Sequence, residues 1–192
     1  YKPRPFDPRA GSFGISYLDF SAPLGEPMVR KFIARHRLET NAQGVVKKPI
    51  VYYVERGVPE PIRTALIEGG NYWKPAFEAA GFKDAYRVEL MPEGMDPMDV
   101  RHNVIHWTNR STRGWAYGSS VIDPRTGEIV RGVVNLDSQR ARQDVVIFES
   151  LIGVDQSGKG GPNDPIQVAL SRIRQLSAHE IGHTLCFQHN FA

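Results

Sequence analysis

Apolar positions along this chain fall into short blocks whose spacing switches between the two-residue period of strands and the three-to-four-residue period of helices. Residues 13–20 and 29–38 alternate loosely between apolar and polar side chains, which predicts two strands able to pair with each other. Residues 49–55 form a β-branched and aromatic run closed by Gly57 and Pro59, the composition of a buried central strand. From 60 to 80 the spacing turns helical through Ile62, Leu66, Trp73, Phe77 and Ala80, with Gly69 and Gly70 weakening the middle and Gly81 suited to a left-handed helix end. The Trp73 and Phe77 stripe is assigned to the core. Residues 86–91 and 104–107 read as two further strands. Residues 115–122 and 128–136 flank the turn sequence Asp123-Pro124-Arg125-Thr126-Gly127 and predict a hairpin.

The last third is helical around one loop. Residues 140–151 carry helical spacing, and 153–162 form a Gly-rich connection. Asn163 or Asp164 then caps a helix whose first residue is Pro165, a position where the missing N–H costs nothing. Ile166, Ala169, Leu170, Ile173, Leu176 and Ile181 give that helix a steady apolar stripe. Residues 1–11, with Pro3, Pro5 and Pro8 among basic side chains, read as an irregular N-terminal arm. No internal repeat is visible, and 12–192 read as one domain of mixed strands and helices.

Composition narrows the function classes. A chain of 192 residues that is 41% apolar and 23% charged can bury a core. No run of about 18 apolar residues is present, so no membrane span is expected. The net charge of +3 comes from basic residues interleaved with acidic ones, which argues against a nucleic-acid partner. Cys186 is the single cysteine, which excludes an internal disulfide and a four-thiolate metal site. The sequence opens at Tyr1 with neither methionine nor leader, so it is read as a fragment or processed form, and a monomer is expected.

Chemistry concentrates in the final helix. His179-Glu180-Ile181-Gly182-His183 sets two imidazoles four residues apart, about 40° and 6 Å from each other on an α-helix, so both reach one metal ion. Glu180 follows the first ligand by about 100°, which places its carboxylate beside the ion's water and not on the ion. A catalytic zinc usually takes three protein ligands. His189 would miss the site on an unbroken helix, but it returns if the helix stops after His183 and the chain turns through a left-handed residue. The pattern H-E-x-x-H-x-x-G-x-x-H, which this run resembles, uses its glycine for such a turn, and Cys186 stands at that position, where a non-glycine side chain costs on the order of 1 kcal/mol. Cys186 is read as a packing residue, and a thiolate ligand at that position is the weaker alternative. His102 and His106 lack a neighbouring glutamate and are read as structural or exposed.

The run H-E-I-G-H-T-L-C-F-Q-H-N-F over 179–191 resembles the H-E-[IV]-G-H-T-L-G-x-x-H-N-F motif of bacterial zinc-dependent metalloproteases of metzincin-like type, with Cys186 in place of the glycine. Segments 76–82, 111–118 and 123–129 are similar to the same family's catalytic region, so the resemblance runs from about residue 12 to the end. It implies an α+β fold, α/β-like: a metzincin-type zincin with a twisted mixed five-stranded sheet, a backing helix and an active-site helix. Under it, His179, His183 and His189 bind Zn2+, Glu180 is the general base, and a peptide or protein substrate lies extended along the edge strand 115–122 at Gly118, Ser119 and Ser120. It also implies an extracellular or periplasmic setting, and a domain truncated after the zinc motif, before any methionine-containing turn.

Two rival readings remain. A catalytically inactive domain would keep zinc for structure, or bind peptides at the sheet edge, without turnover. Residues 153–160 nearly match the phosphate-binding G-x-x-x-x-G-K-[ST] loop of nucleotide hydrolases, but Gly160 offers no hydroxyl for Mg2+ and the preceding run looks helical.

Overall fold

A computed structural model describes residues 1–112 and 114–189. β1 (Gly14–Leu18) and β2 (Val29–Ile33) form an antiparallel pair of their own, with Ser16 opposite Lys31. Residues 1–11 run beside β2: the Phe6 amide donates to the Lys31 carbonyl and the Ile33 amide to the Arg4 carbonyl, before a 3-10 turn at Pro8–Ala10.

The remaining strands make one sheet. β3 (Ile50–Val54) is followed by α1 (Ile62–Gly70), α2 (Lys74–Ala79), β4 (Tyr86–Leu90), β5 (Asn103–Thr108), β6 (Tyr117–Ile122) and β7 (Ile129–Asp137). Spatial order is β4-β3-β5-β7-β6, with β6 at one edge. β4, β3, β5 and β7 are parallel neighbours, and β6 runs antiparallel to β7, with Gly118 opposite Val134. The fold is thus α+β around a mixed five-stranded sheet, as the motif resemblance implies. Two long helices complete it: α3 (Ser138–Ile152) and α4 (Pro165–Thr184).

β-branched and aromatic residues put the core between sheet and helices. Tyr52, Val54, Ile105, Val134 and Leu136 from the sheet meet Leu66 of α1 and Ile173, Leu176 and Ile181 of α4, all buried. α1 lies close against α4 because Gly69 has no side chain: a Cβ there would stand 2.2 Å from the Arg174 carbonyl oxygen. The Ser177 hydroxyl donates to the Leu66 carbonyl across the same contact, at 2.8 Å.

The helix expected over 60–80 is interrupted. α1 ends at Gly70, a 3-10 turn spans Asn71–Trp73, and α2 begins at Lys74. Pro75 lacks the N–H that would continue the ladder. Asn71 turns its amide onto β4 instead, donating to the Val88 carbonyl and accepting from the Val88 amide, both at 2.9 Å. Side-chain bonding to a neighbouring strand therefore replaces a turn of helix, which apolar spacing alone does not reveal.

α4 begins as expected. Asp164 caps it by accepting from the Ile166 amide, and its carboxylate also gathers the amides of Gly158 and Gly160. The Gly-rich loop thus spends those amides on a protein carboxylate. It also follows α3 where a phosphate-binding loop would follow a strand, which weighs against nucleotide binding. No helix among the described residues is long and apolar enough to cross a membrane.

Candidate metal centre

The C-terminal end of α4 places His179 and His183 one turn apart, with their Nε2 atoms 3.2 Å from each other. The helix stops at Thr184. The Cys186 amide donates to the His183 carbonyl and the Phe187 amide to the Gly182 carbonyl, with Cys186 left-handed at φ 84°. These paired bonds are those of a Schellman end, in which glycine usually takes the left-handed place. Cys186 is buried, so a well-packed thiol occupies that place. The reversed chain returns His189 Nε2 to 3.1 Å from His183 and 3.2 Å from His179.

The donor set fits a divalent ion. Nitrogens held about 2.0–2.1 Å from one ion at tetrahedral angles lie about 3.3–3.4 Å apart, close to the spacing here. His183 Nδ1 is 2.9 Å from the Phe187 carbonyl oxygen and must donate to it, so its Nε2 presents a lone pair toward the other two rings. A shared cation would draw the lone pairs of the three Nε2 atoms to one point. The three histidines are a group of possible metal ligands among the described residues. Burial and its neighbours His183 and His189 lower the pKa of His179, which favours the neutral, ligating imidazole.

Glu180 sits on the same turn but is buried, at 6% exposure. Burial raises its carboxyl pKa, and His183, the Gly118 amide and His189 pull it partly back. α4 approaches β6 at this point because Gly118 leaves room; a Cβ there would lie 2.0 Å from the Glu180 carbonyl oxygen. The Ser120 hydroxyl donates to the Thr184 carbonyl at 3.0 Å. Gly118 and Ser120 are half-buried against the helix, whereas Ser119 between them is exposed. A cavity of about 280 Å³ opens beside His183, lined in part by Phe13, Gly118, Ser119, Ser120 and Cys186. The larger cavity of about 810 Å³, with Lys47, Lys48 and Arg101 on its walls, shares no residue with the histidine cluster.

His102 and His106 stand elsewhere. His106 Nδ1 lies 2.9 Å from a Glu55 carboxylate oxygen, which also accepts from the Trp107 amide through its second oxygen. His102 packs edge-on against Tyr53. Asn190 and Phe191 of the motif, and Arg113 of segment 111–118, lie outside the described residues.

Several supporting residues carry no motif. Phe187 stacks on Trp73 with centroids 5.2 Å apart, and the Trp73 indole donates to the Ala178 carbonyl, tying α4 to the returning chain. Tyr52 reaches from β3 to the Thr184 hydroxyl at 2.7 Å. Tyr52 was legible as core, but its bond was not, because its partner is remote in sequence.

Residues 161–192 match the model of a family described as Met-zincin, and residues 1–41 match a domain of unknown function (DUF5117). No curated protein and no solved structure matches the chain. The mixed sheet, the H-E-x-x-H helix and the Met-zincin match agree, and the C-terminal segment of this chain is metzincin-like.

Proposed function

We propose that this chain is a zinc-dependent metalloendopeptidase domain. The observation that carries the reading is the meeting of three imidazole nitrogens within 3.2 Å of one another, with a buried carboxylate on the helical turn between two of them. His179, His183 and His189 would hold the metal. Zinc, when bound, supplies a Lewis acid that polarises a peptide carbonyl and makes water more acidic.

Glu180 does the proton work. Its carboxylate takes the proton that attacking water gives up and passes it to the departing amine, and burial strengthens it as a base. β6, the edge strand of the sheet, suits an extended peptide, whose backbone groups would pair with the strand near Ser119 while Gly118 and Ser120 keep α4 seated. A peptide or protein is therefore the substrate class. An extracellular or periplasmic setting is part of the same reading.

Metal analysis of the purified chain, combined with cleavage of an unfolded protein substrate with and without chelator, tests the proposal. Stoichiometric zinc and chelator-sensitive cleavage are expected. Zinc without cleavage would support the inactive zinc-binding alternative, and a chain that takes up no divalent metal would refute the metalloendopeptidase reading.

A further inference from the structure

The returning strand that carries His189 is paired with the N-terminal segment. The Phe13 amide donates to the Cys186 carbonyl at 2.8 Å, and the Gln188 amide donates to the Gly11 carbonyl at 2.9 Å, so Ser12 and Phe187 face each other in an antiparallel bridge. These bonds bracket Phe187, whose carbonyl accepts from His183 Nδ1. The Phe13 ring lies edge-on to the His183 ring, with centroids 5.9 Å apart.

The N-terminal partner is itself anchored. Gly11 is left-handed at φ 63° behind the 3-10 turn capped by Asp7, and the Ala34 amide donates to the Phe13 carbonyl at 3.0 Å. Residues 11–13 thus join a fixed scaffold on one side to the strand preceding His189 on the other. They fall in the segment matched by the domain of unknown function, whereas the histidines fall in the Met-zincin match.

We propose that residues 11–13 form a positioning strand for the third metal ligand. Without them, the segment after Cys186 would keep, among the described residues, its helix-end turn, the His183 bond and the Trp73 stack, and the His189 ring would sample positions away from the other two. With them, most of the ordering needed at His189 is completed when the chain folds, so less is lost when metal binds. The inference rests on the three-histidine metal reading and adds a role for a segment that supplies no ligand. By linkage, metal must strengthen the same strand pairing that favours metal.

Zinc affinity, measured in full-chain variants by competition against a chromogenic chelator, provides the first test. Phe13→Pro deletes the N–H, while Phe13→Ala removes the ring but keeps it. Removal of a group that orients a ligand typically lowers affinity about 10- to 100-fold, so a loss in that range is expected for Phe13→Pro, and a clearly smaller one for Phe13→Ala, which gives up the ring contact with His183 but keeps the N–H. Equal affinity in a folded Phe13→Pro chain would overturn the proposal.

Amide hydrogen exchange on the unaltered chain decides the matter if Phe13→Pro fails to fold. Zinc is expected to slow exchange at Phe13 and Gln188 by about tenfold beyond any change in β5, within the usual span of coupling between sites. Zinc that binds while Phe13 exchange is unchanged would refute the positioning strand alone. Failure of zinc to bind the unaltered chain would overturn the metal reading and this inference with it.

Discussion

Glu180 and His36 show how burial sets the chemistry of single residues. The Glu180 carboxyl is withdrawn from water, so its pKa is raised and the charged form is a stronger base than a surface glutamate. Replacing it with glutamine keeps the shape and removes the basicity. Glu180→Gln is expected to retain zinc while peptide hydrolysis falls by about 10²–10⁴-fold, measured as initial rates alongside metal content. His36 is driven from 6.5 to about 4 by burial, partly offset by the Thr184 backbone and Glu128, and its Nε2 is buried without a hydrogen-bond partner among the described residues. Between those two pH values the unfolded chain binds a proton at this site and the folded chain does not. Stability from this residue is therefore full above about pH 6.5 and falls as the pH drops toward 4, by on the order of 2–3 kcal/mol. Unfolding titrations at pH 7 and 4.5 should show a smaller difference in His36→Gln than in the parent chain.

Contacts between α4 and its neighbours depend on two glycines. Gly69 admits the α4 backbone to α1, and Gly118 admits it to β6. A Cβ at position 118 would strike the Glu180 carbonyl, and neither main chain can swing aside as a flexible side chain could. Gly118→Ala is expected to destabilise the fold by about 1–3 kcal/mol and to weaken zinc binding, because the helix carrying two of the histidines must lift. Ser119→Ala, on the exposed position next to it, should change stability by no more than about 0.5 kcal/mol. Urea unfolding midpoints of the two variants check this contrast. The broken helix at 71–75 belongs to the same scale: Asn71 bonds to β4 and Pro75 withholds a donor, so Trp73 is turned onto α4 and Phe187.

Across the whole molecule, the candidate metal centre draws together residues far apart in the sequence. α4 supplies two histidines, the return after Cys186 supplies the third, and residues 11–13 pair with that return. A cation bound to the three histidines would stabilise the folded chain by about 2.7 kcal/mol at one hundred times its dissociation constant. For a chain of this length that corresponds to a rise in Tm of roughly 5–10 °C. Thermal unfolding with zinc and with chelator is expected to show the shift in the parent chain and a much smaller one in His189→Ala, at the same zinc concentration. An equal shift in that variant would mean that the stabilising ion sits elsewhere.

The motif resemblance pointed to the left-handed turn at Cys186, while spacing in the sequence was sufficient to set the strands, the long final helix, its cap at Asn163 or Asp164, and the common face of His179 and His183. These follow from helical geometry and local chain stiffness, which act over a few residues. Tertiary structure decided where the helix over 60–80 breaks, which side of β6 meets α4, and that residues 11–13 hold the strand before His189. Backbone hydrogen bonds make that last junction, and every residue but proline offers the same N–H and C=O. A pairing between position 13 and position 186 therefore leaves no mark in either stretch of sequence until folding brings the two together.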